Sequence, residues 1–422
     1  MQDNEKKPAL RFKGFTDPWE QRKISELAEK TYGGGTPTTS NEAFWNGNIP
    51  WIQSSDIVDG KLMGVEPRKY ITQTGLNSSA TQLVPKNSIA IITRVGVGKL
   101  AYMPFSYSTS QDFLSLSKLN TEPFFTVYAC YKKLQSELNT VQGTSIKGIT
   151  KDELLAKTIS VPVYSEQKQI GSFFAQLDTL ITLHQRKYEK LVNIKKSMLD
   201  KIFPKNGASV PEIRFKGFTD LWEQRKLDEA FDFTVPNNTL SRAELNQESG
   251  SVRNVHYGDV LIKYGSVLDA QNDELPFITG RSKDDFKGAL LQNGDIIIAD
   301  TAEDETTGKV CEIVNIQDKD VVAGLHTMVC RPKNKTAEGY FGYYMNSSSY
   351  HHQLLPLMQG IKVLSLSKTN VQKTTVKYPK DKAEQQKIAD CLRRIDTLIT
   401  LHQRKLKKLQ NIKKSCLEKM FV

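Results

Sequence analysis

The sequence predicts an α+β fold in which two globular mixed α/β domains are separated by two long antiparallel coiled-coil helices, with an internal pseudo-twofold and circular closure. Three observations predict it. A long helical pattern occurs twice, a short aromatic and basic motif occurs twice, and the two stretches between them share an order of strands and helices without sharing their letters. Large internal repeats of this kind are typical of a chain with its own approximate twofold symmetry.

The two long helices are predicted at residues 166–203 and 384–421. Asp178 to Lys187 is identical to Asp396 to Lys405, an offset of 396 − 178 = 218 residues. Hydrophobic residues recur every seven positions on two interleaved rows, which is the pattern of a coiled-coil seam. In the first copy these rows are Ile170, Leu177, His184, Leu191 and Met198, and Phe174, Ile181, Tyr188, Lys195 and Ile202. Each helix should span roughly 55 Å.

Matched polar residues interrupt both seams. His184 and Lys195 in the first copy correspond to His402 and Lys413 in the second. Polar residues within a seam can fix the register of two helices, and this is the role that we predict for them. The alternative is that each is an ordinary side chain on a solvated face.

The short motif runs from Arg11 to Lys23 and returns from Arg214 to Lys226, an offset of 214 − 11 = 203 residues. The second copy follows the first long helix through a linker at 204–212. The copy that ought to follow the second helix stands instead at the N-terminus. This cyclic order predicts that the two ends of the chain meet.

The repeats divide the chain into five predicted segments. They are an N-terminal motif at 1–23 that completes the distal helical region, a first globular domain at 24–164, a central helical spacer and linker at 165–226, a second globular domain at 227–381, and a C-terminal helical spacer at 382–422.

Both globular segments are predicted to contain short strands and one main helix. The first has strands at 88–93, 99–103, 113–118 and 158–163 and a helix at 124–137. The second has strands at 259–264, 295–299, 310–314, 326–331 and 374–378 and a helix at 337–346. Thr150 with Glu153 forms a capping box in one segment, and Ser367 is the expected N-cap in the other.

The composition indicates a partner that is a polyanion. The formal net charge of +11 favours nucleic acid first and a membrane surface second, and a merely basic soluble protein is the alternative. The five cysteines have no regular spacing and are expected to be reduced thiols. No apolar leader or run of membrane-spanning length is present, so we expect a cytoplasmic protein without membrane contact.

No pattern for catalysis or metal binding is complete. Residues 96–99 lack the upstream glycine and the following Ser or Thr of a phosphate-binding loop. The adjacent His351 and His352 rarely suit one metal ion, and the acidic run from Glu303 to Glu305 is more typical of a solvated loop. We therefore predict a non-catalytic chain with no metal and no cofactor of its own.

Residues on the predicted loops suit DNA instead. Arg and Lys pair with guanine edges, Gln and Asn with adenine, and Ser and Thr with phosphates. The candidates are Thr36, Thr38, Thr39, Ser40, Arg94, Lys99, Gln111, Thr144, Ser145 and Lys147 in the first domain, and Lys263, Tyr264, Arg281, Lys283, Lys309, Lys362, Ser365 and Lys368 in the second.

The whole pattern resembles the specificity subunit of a Type I restriction-modification system. The resemblance rests on the repeated Arg-Phe-Lys-Gly-Phe-Thr-Asp-x-Trp-Glu-Gln-Arg-Lys motif, on Gly33 to Pro37 and Ile49 to Ile57 at the start of the first domain, and on the Glu-Gln-x-x-Ile helices followed by Asp-Thr-Leu-Ile. The second domain lacks the Pro-Trp-Ile element and resembles a different subtype.

The resemblance implies that the two globular segments are target-recognition domains that read the halves of a bipartite, gapped site on double-stranded DNA. It also implies that the helices set the gap and bind two modification (methyltransferase) subunits, which carry S-adenosylmethionine and methylate adenine. Restriction subunits would add translocation and cleavage with ATP and Mg. The alternatives are a stand-alone nucleic-acid-binding or scaffold protein and, on scattered acids only, a metal-dependent nuclease.

Overall fold

A computed structural model describes residues 7–140, 148–205 and 207–422. The chain forms two compact units, which we name unit 1 (residues 1–186 with 402–422) and unit 2 (residues 187–401). Each long helix begins in one unit and ends in the other. Each unit therefore contains one globular domain, the first part of one long helix and the last part of the other, a division that cuts across the five segments predicted from the repeats.

Unit 1 contains a four-stranded sheet in the order β2-β8-β5-β6, a three-stranded sheet in the order β4-β3-β7, and the pair β1-β9. The strands are β1 Glu20–Lys23, β2 Ala28–Gly33, β3 Trp45–Ile52, β4 Lys69–Ile71, β5 Ser88–Ile92, β6 Leu100–Met103, β7 Ser108–Thr109, β8 Phe113–Leu119 and β9 Thr158–Val161. The helices are α1 Gln73–Asn77, α2 Pro123–Thr140, α3 Lys151–Ala156 and the long α4 Tyr164–Lys201.

Unit 2 contains a five-stranded sheet in the order β11-β20-β16-β18-β14, a four-stranded sheet in the order β12-β15-β13-β19, and the pairs β10-β22 and β17-β21. The strands are β10 Glu223–Lys226, β11 Phe231–Asp232, β12 Leu245–Asn246, β13 Val252–Val255, β14 Val267–Asp269, β15 Phe277–Ile278, β16 Ile296–Ala299, β17 Thr301–Ala302, β18 Val310–Val314, β19 Asp320–Ala323, β20 Thr327–Pro332, β21 Leu364–Ser365 and β22 Thr375–Tyr378. The helices are α5 Leu227–Ala230, α6 Tyr257–Ile262, α7 Tyr340–Met345, α8 Ser348–His351, α9 Lys368–Gln372 and the long α10 Lys382–Met420.

Short 3₁₀ turns connect these elements in both units. They are Ile24–Glu26, Glu42–Phe44, Ser54–Asp56, Arg242–Glu244, Lys283–Phe286 and Leu355–Leu357.

The two long helices pack antiparallel along the predicted seam. In unit 1, Nζ of Lys413 lies 2.6 Å from Asp178 Oδ1, and Nδ1 of His184 lies 2.8 Å from Nδ1 of His402. In unit 2, the equivalent contact joins Lys195 to Asp396, also at 2.6 Å. Each seam lysine thus pairs with an acid of the opposite helix, which specifies register more strongly than apolar side chains alone.

The N-terminal motif meets the end of the second long helix, as the cyclic order predicts. In unit 1, the amide of Leu10 donates to the carbonyl of Lys419 at 2.9 Å, and in unit 2 the amide of Ile213 donates to that of Lys201 at the same distance. The motif then places a tryptophan against the phenylalanine that follows the helix, as in the edge-to-face contact of Trp19 with Phe421. The N-terminal motif therefore occupies, on the second helix, the place that its copy occupies on the first.

Buried ion pairs fasten each motif to the start of a long helix. The guanidinium of Arg11 donates two hydrogen bonds of 2.7 Å to Glu166, and that of Arg214 donates two, of 2.7 and 2.8 Å, to Glu384. Both carboxylates are fully buried, and these hydrogen bonds raise the pKa of both arginines. The duplicated frame is thus the same down to individual contacts.

One predicted strand is wrong. Residues 259–264 lie mostly in α6, which begins after His256, whose Nδ1 accepts a hydrogen bond from the amide of Gly258. A run of three apolar residues is too short to separate strand from helix by periodicity. The capping box at Thr150 and the N-cap at Ser367 are confirmed.

Candidate nucleic-acid interface

The central sheet of unit 1 ends in a surface made by two turns. The first turn, residues 93–99, joins β5 to β6, and the amide of Ile92 donates to the carbonyl of Lys99 at 2.9 Å. The second, residues 110–112, leads into β8, and the amide of Thr93 donates to the carbonyl of Asp112 at 2.7 Å. We name this part of unit 1, together with the loop at 36–40, its strand-end surface.

Several predicted DNA contacts lie together on this surface. The hydroxyl of Thr36 donates to the amide oxygen of Gln111 at 2.6 Å, which joins the 36–40 loop to the 110–112 turn. Thr38, Thr39, Ser40 and Arg94 are exposed beside them, and Lys99 is half-buried. Two cations, an amide and four hydroxyls on one surface can contact both phosphates and base edges.

Unit 2 repeats this corner of the sheet with different side chains. The amide of Ala299 donates to the carbonyl of Lys309 at 2.9 Å, and the amide of Asp300 donates to that of His326 at 3.1 Å. Lys309 thus occupies the position of Lys99. The strand-end surface of unit 2 comprises residues 300–309, 325–326 and the hairpin at 359–365, which is held where Ser365 pairs with Thr301.

Three candidates of unit 2 lie on its strand-end surface. Lys362 and Ser365 are exposed on the hairpin. Lys309 is half-buried; burial lowers its pKa, and its Nζ donates to the carbonyl of Leu261 at 2.7 Å. Lys309 therefore stabilises the corner and presents only part of its side chain to a ligand.

The other candidates of unit 2 lie elsewhere. Tyr264 is buried, and its phenol donates to the carbonyl of Glu274, which Lys263 also contacts. Because the ring of Tyr264 belongs to the core, we leave it out of the proposed interface. Nζ of Lys368 donates to the carbonyl of Phe233.

Arg281 and Lys283 form a separate exposed site near β15. Ser251 donates to the backbone carbonyl of Arg281 at 2.8 Å, so the turn is fixed while the side chain is left at the surface. Thr144, Ser145 and Lys147 lie outside the described residues, so their prediction has no structural description.

Sequence reasoning missed three side chains of the second strand-end surface, those of Asp300, Thr301 and His326. His326 has a positive φ of 54°, its Nδ1 lies 3.5 Å from Asp300, and the ring of Tyr257 packs edge-to-face on it at 5.3 Å. The hydroxyl of Thr301 lies 3.4 Å from the same nitrogen. The missing signal was position in the sheet. Thr301 follows β16 and His326 precedes the neighbouring strand β20, as Arg94 follows β5 and Asp112 precedes β8 in the first domain.

Within residues 7–140, 148–205 and 207–422, no cluster of three or more His, Cys, Asp or Glu side chains is arranged to hold a metal ion. Among the same residues, no helix is both long and apolar enough to cross a membrane. The five cysteines are free thiols, and burial raises the pKa of Cys130 to about 12.

Comparison with known proteins identifies the family. A profile described as the Type I restriction modification DNA specificity domain matches residues 16–193 and 219–411. The chain is 25% identical to the Type I restriction enzyme MjaIX specificity subunit of Methanocaldococcus jannaschii over 289 residues, covering 66% of this chain and 61% of that protein. It is 30% identical to the EcoR124I/EcoR124II specificity subunit of Escherichia coli over 199 residues, covering 43% and 48%. The alignments thus span less than two thirds of either relative.

The fold is also that of a solved relative. A Type I restriction-modification S subunit from M. genitalium superposes with a TM-score of 0.58 at 16% identity, over 99% of both chains. At this identity the likeness shows the fold alone. Because the family profile matches both halves of the chain and well over half of its residues, the resemblance drawn from the motifs is confirmed, and the chain belongs to the Type I restriction-modification DNA specificity family.

Proposed function

We propose that the chain is a non-catalytic, cytoplasmic subunit that reads a bipartite, gapped sequence on double-stranded DNA and directs adenine methylation or restriction by its partners. One observation carries the proposal: the two units share a frame of equivalent backbone and ion-pair contacts, yet their strand-end surfaces bear different side chains. Two rigidly built but chemically different surfaces suit two different half-sites.

Methylome sequencing tests this function. A strain carrying the gene with an intact modification gene is expected to show one gapped adenine-methylation motif, and deletion of the gene is expected to remove it. The control is a strain in which only the modification gene is inactivated, which should lose the same motif. A motif that persists without this chain would contradict the proposal.

The long helices support the binding of two copies of one partner. In unit 1, Leu180 and Leu183 of α4 are 43% and 44% exposed, and in unit 2 their counterparts Leu398 and Leu401 of α10 are both 43% exposed. Apolar residues exposed on a helix mark a protein interface when they form a patch. We propose that each patch binds one modification subunit, which brings S-adenosylmethionine, and that restriction subunits bring ATP and Mg.

Replacing the leucines of one patch is expected to remove one partner. Leu180→Asp with Leu183→Asp should leave a complex with one modification subunit, because a carboxylate in an apolar interface core weakens binding by roughly a hundredfold. Native mass spectrometry measures the stoichiometry. The matched variant Leu398→Asp with Leu401→Asp should give a complex of the same mass. Gln176→Asp, at an exposed position of α4, should leave two modification subunits bound. If a variant with all four leucines replaced still binds two subunits, the assignment is contradicted.

Lengthening both helices by one heptad is expected to widen the gap in the DNA site. The heptad Ile181 to Lys187 is identical to Ile399 to Lys405, and duplicating it in both helices preserves the seam. Seven residues add about 10 Å of helix, or about three base pairs. The methylation motif should keep both half-sites, whereas insertion in one helix alone should abolish methylation. Changed half-site letters would show that the helices do more than set distance.

A further inference from the structure

We infer that unit 1 contains a pocket for an unstacked nucleobase of the bound DNA; this inference rests on the proposed function, because DNA supplies the base. The cavity has a volume of about 280 Å³ and lies along the edge strand β4. It is lined by Thr39, Trp45, Asn46, Arg68, Lys69 and Tyr70. No residue of this set except Thr39 was predicted to contact DNA.

A β-bulge positions one side of the pocket. Trp45 and Ile49 of β3 both lie opposite Ile71 of β4, so the residues between them bulge out of the pair. A Cβ on Gly47 would lie 2.4 Å from the carbonyl oxygen of Ile71, so only glycine fits there. The bulge holds Asn46 at a φ of 60°, a conformation that costs free energy and is found disproportionately at functional sites.

Two aromatic rings give the pocket a stacking wall. The indole of Trp45 is fixed, since its Nε1 donates to the carbonyl of Thr38 at 3.2 Å and its ring packs edge-to-face on Trp51 at 5.1 Å. The second ring, Tyr70, is 38% exposed at the edge strand. Aromatic faces of this kind stack on any unpaired base.

The polar lining matches the edge of a base. The amide of Asn46 can both donate and accept, and the guanidinium of Arg68 donates; its side chain is 65% exposed. Nζ of Lys69 lies 5.8 Å from the ring centres of Trp45 and of Trp51. In this position it can also contact the phosphate next to the bound base. The acid facing Arg68 is the buried Asp56 at 3.5 Å. A phosphate alone would need the cations but no aromatic wall, so the combination favours a base.

The pocket also adjoins the strand-end surface of unit 1. Thr39 belongs to both, and the 36–40 loop carries the carbonyl that fixes Trp45. A duplex held by that loop would therefore have its bases within reach of the cavity. Pulling a base out of the stack costs least where its pairing is already broken.

A mismatch scan tests the inference. The full chain in complex with its modification subunits is titrated with duplexes carrying the gapped motif found by methylome sequencing, with a mismatch at each half-site position in turn. At one position the mismatch is expected to tighten binding roughly tenfold, because no base pair need be broken there. Tyr70→Ala should remove this gain, Tyr70→Phe should keep it, and Tyr164→Ala, at an exposed tyrosine outside the pocket, should also keep it.

Two results would overturn the inference while leaving the proposed function intact. One is that no mismatch tightens binding by the wild-type complex although the matched gapped duplex is bound. The other is that Tyr70→Ala weakens matched and mismatched duplexes equally, as loss of a general backbone contact would. Failure of the wild-type complex to prefer the gapped duplex at all would overturn both proposals.

Discussion

Replacing Arg11 by Ala is expected to destabilise unit 1 by about 3–5 kcal/mol. The change leaves the carboxylate of Glu166, which is 0% exposed, without the two guanidinium hydrogen bonds of 2.7 Å that neutralise it. A buried charge that loses its partner keeps its full desolvation cost, so the loss should exceed that of an ordinary hydrogen bond. Hydrogen exchange, followed separately in the two units during urea unfolding, measures the effect.

The duplicated frame supplies the controls. Arg214→Ala removes the same contact from Glu384 and should destabilise unit 2 while leaving unit 1 unchanged. Arg22→Ala breaks only an exposed pair with Glu20 and should change stability by less than about 1 kcal/mol. Adding Glu166→Gln to Arg11→Ala should recover part of the loss. Equal effects of Arg11→Ala and Arg22→Ala would refute a structural role for the buried pair.

Unit 2 is expected to lose stability as the pH rises from about 5 to 8. Burial raises the pKa of Glu312 to about 7 from an ordinary value of 4.5, although the carboxylate accepts hydrogen bonds from the amides of Gly339 and Gly342. Between pH 4.5 and 7 the folded state binds more protons at this group than the unfolded state, so the free energy of unfolding falls as pH rises. The contribution is present in full below about pH 4.5, falls as the pH rises through 7 and is gone by about pH 8, about 3 kcal/mol in all.

Urea unfolding monitored by hydrogen exchange at Gly339 and Gly342 checks this dependence. Glu312→Gln should flatten the pH profile of unit 2, because the amide does not titrate in this range. The variant keeps one acceptor for the two N–H donors, so some loss of stability at low pH is expected. Burial also raises the pKa of Glu122 in unit 1, so the pH profile of the stability of unit 1 serves as the comparison. An unchanged pH slope in Glu312→Gln would refute the assignment.

The frame of this protein could be predicted from its sequence, because repetition and the seven-residue period report long helices and their pairing directly. The return of the N-terminal motif to the end of the second long helix followed from motif order alone, and the contact of Leu10 with Lys419 bears it out. The candidate site was predicted less completely. Residue type suggested Arg94 and Lys362, but could not show that Tyr264 is buried or that His326 and Thr301 lie on the same surface, since those facts depend on sheet pairing between distant segments.

The last turn of α10 has a consequence for synthesis of the chain on the ribosome. Met420 and Phe421 are buried in unit 1, where Phe421 stacks on Phe125 at 5.6 Å. The first globular domain, residues 24–164, therefore cannot complete its core until 421 − 164 = 257 further residues have been made, and unit 2 lies within that interval. Unit 2 can finish folding earlier. Unit 1 must keep an apolar site open until the last turn of α10 has been made. The first globular domain is therefore more exposed to aggregation and to chaperone binding than unit 2.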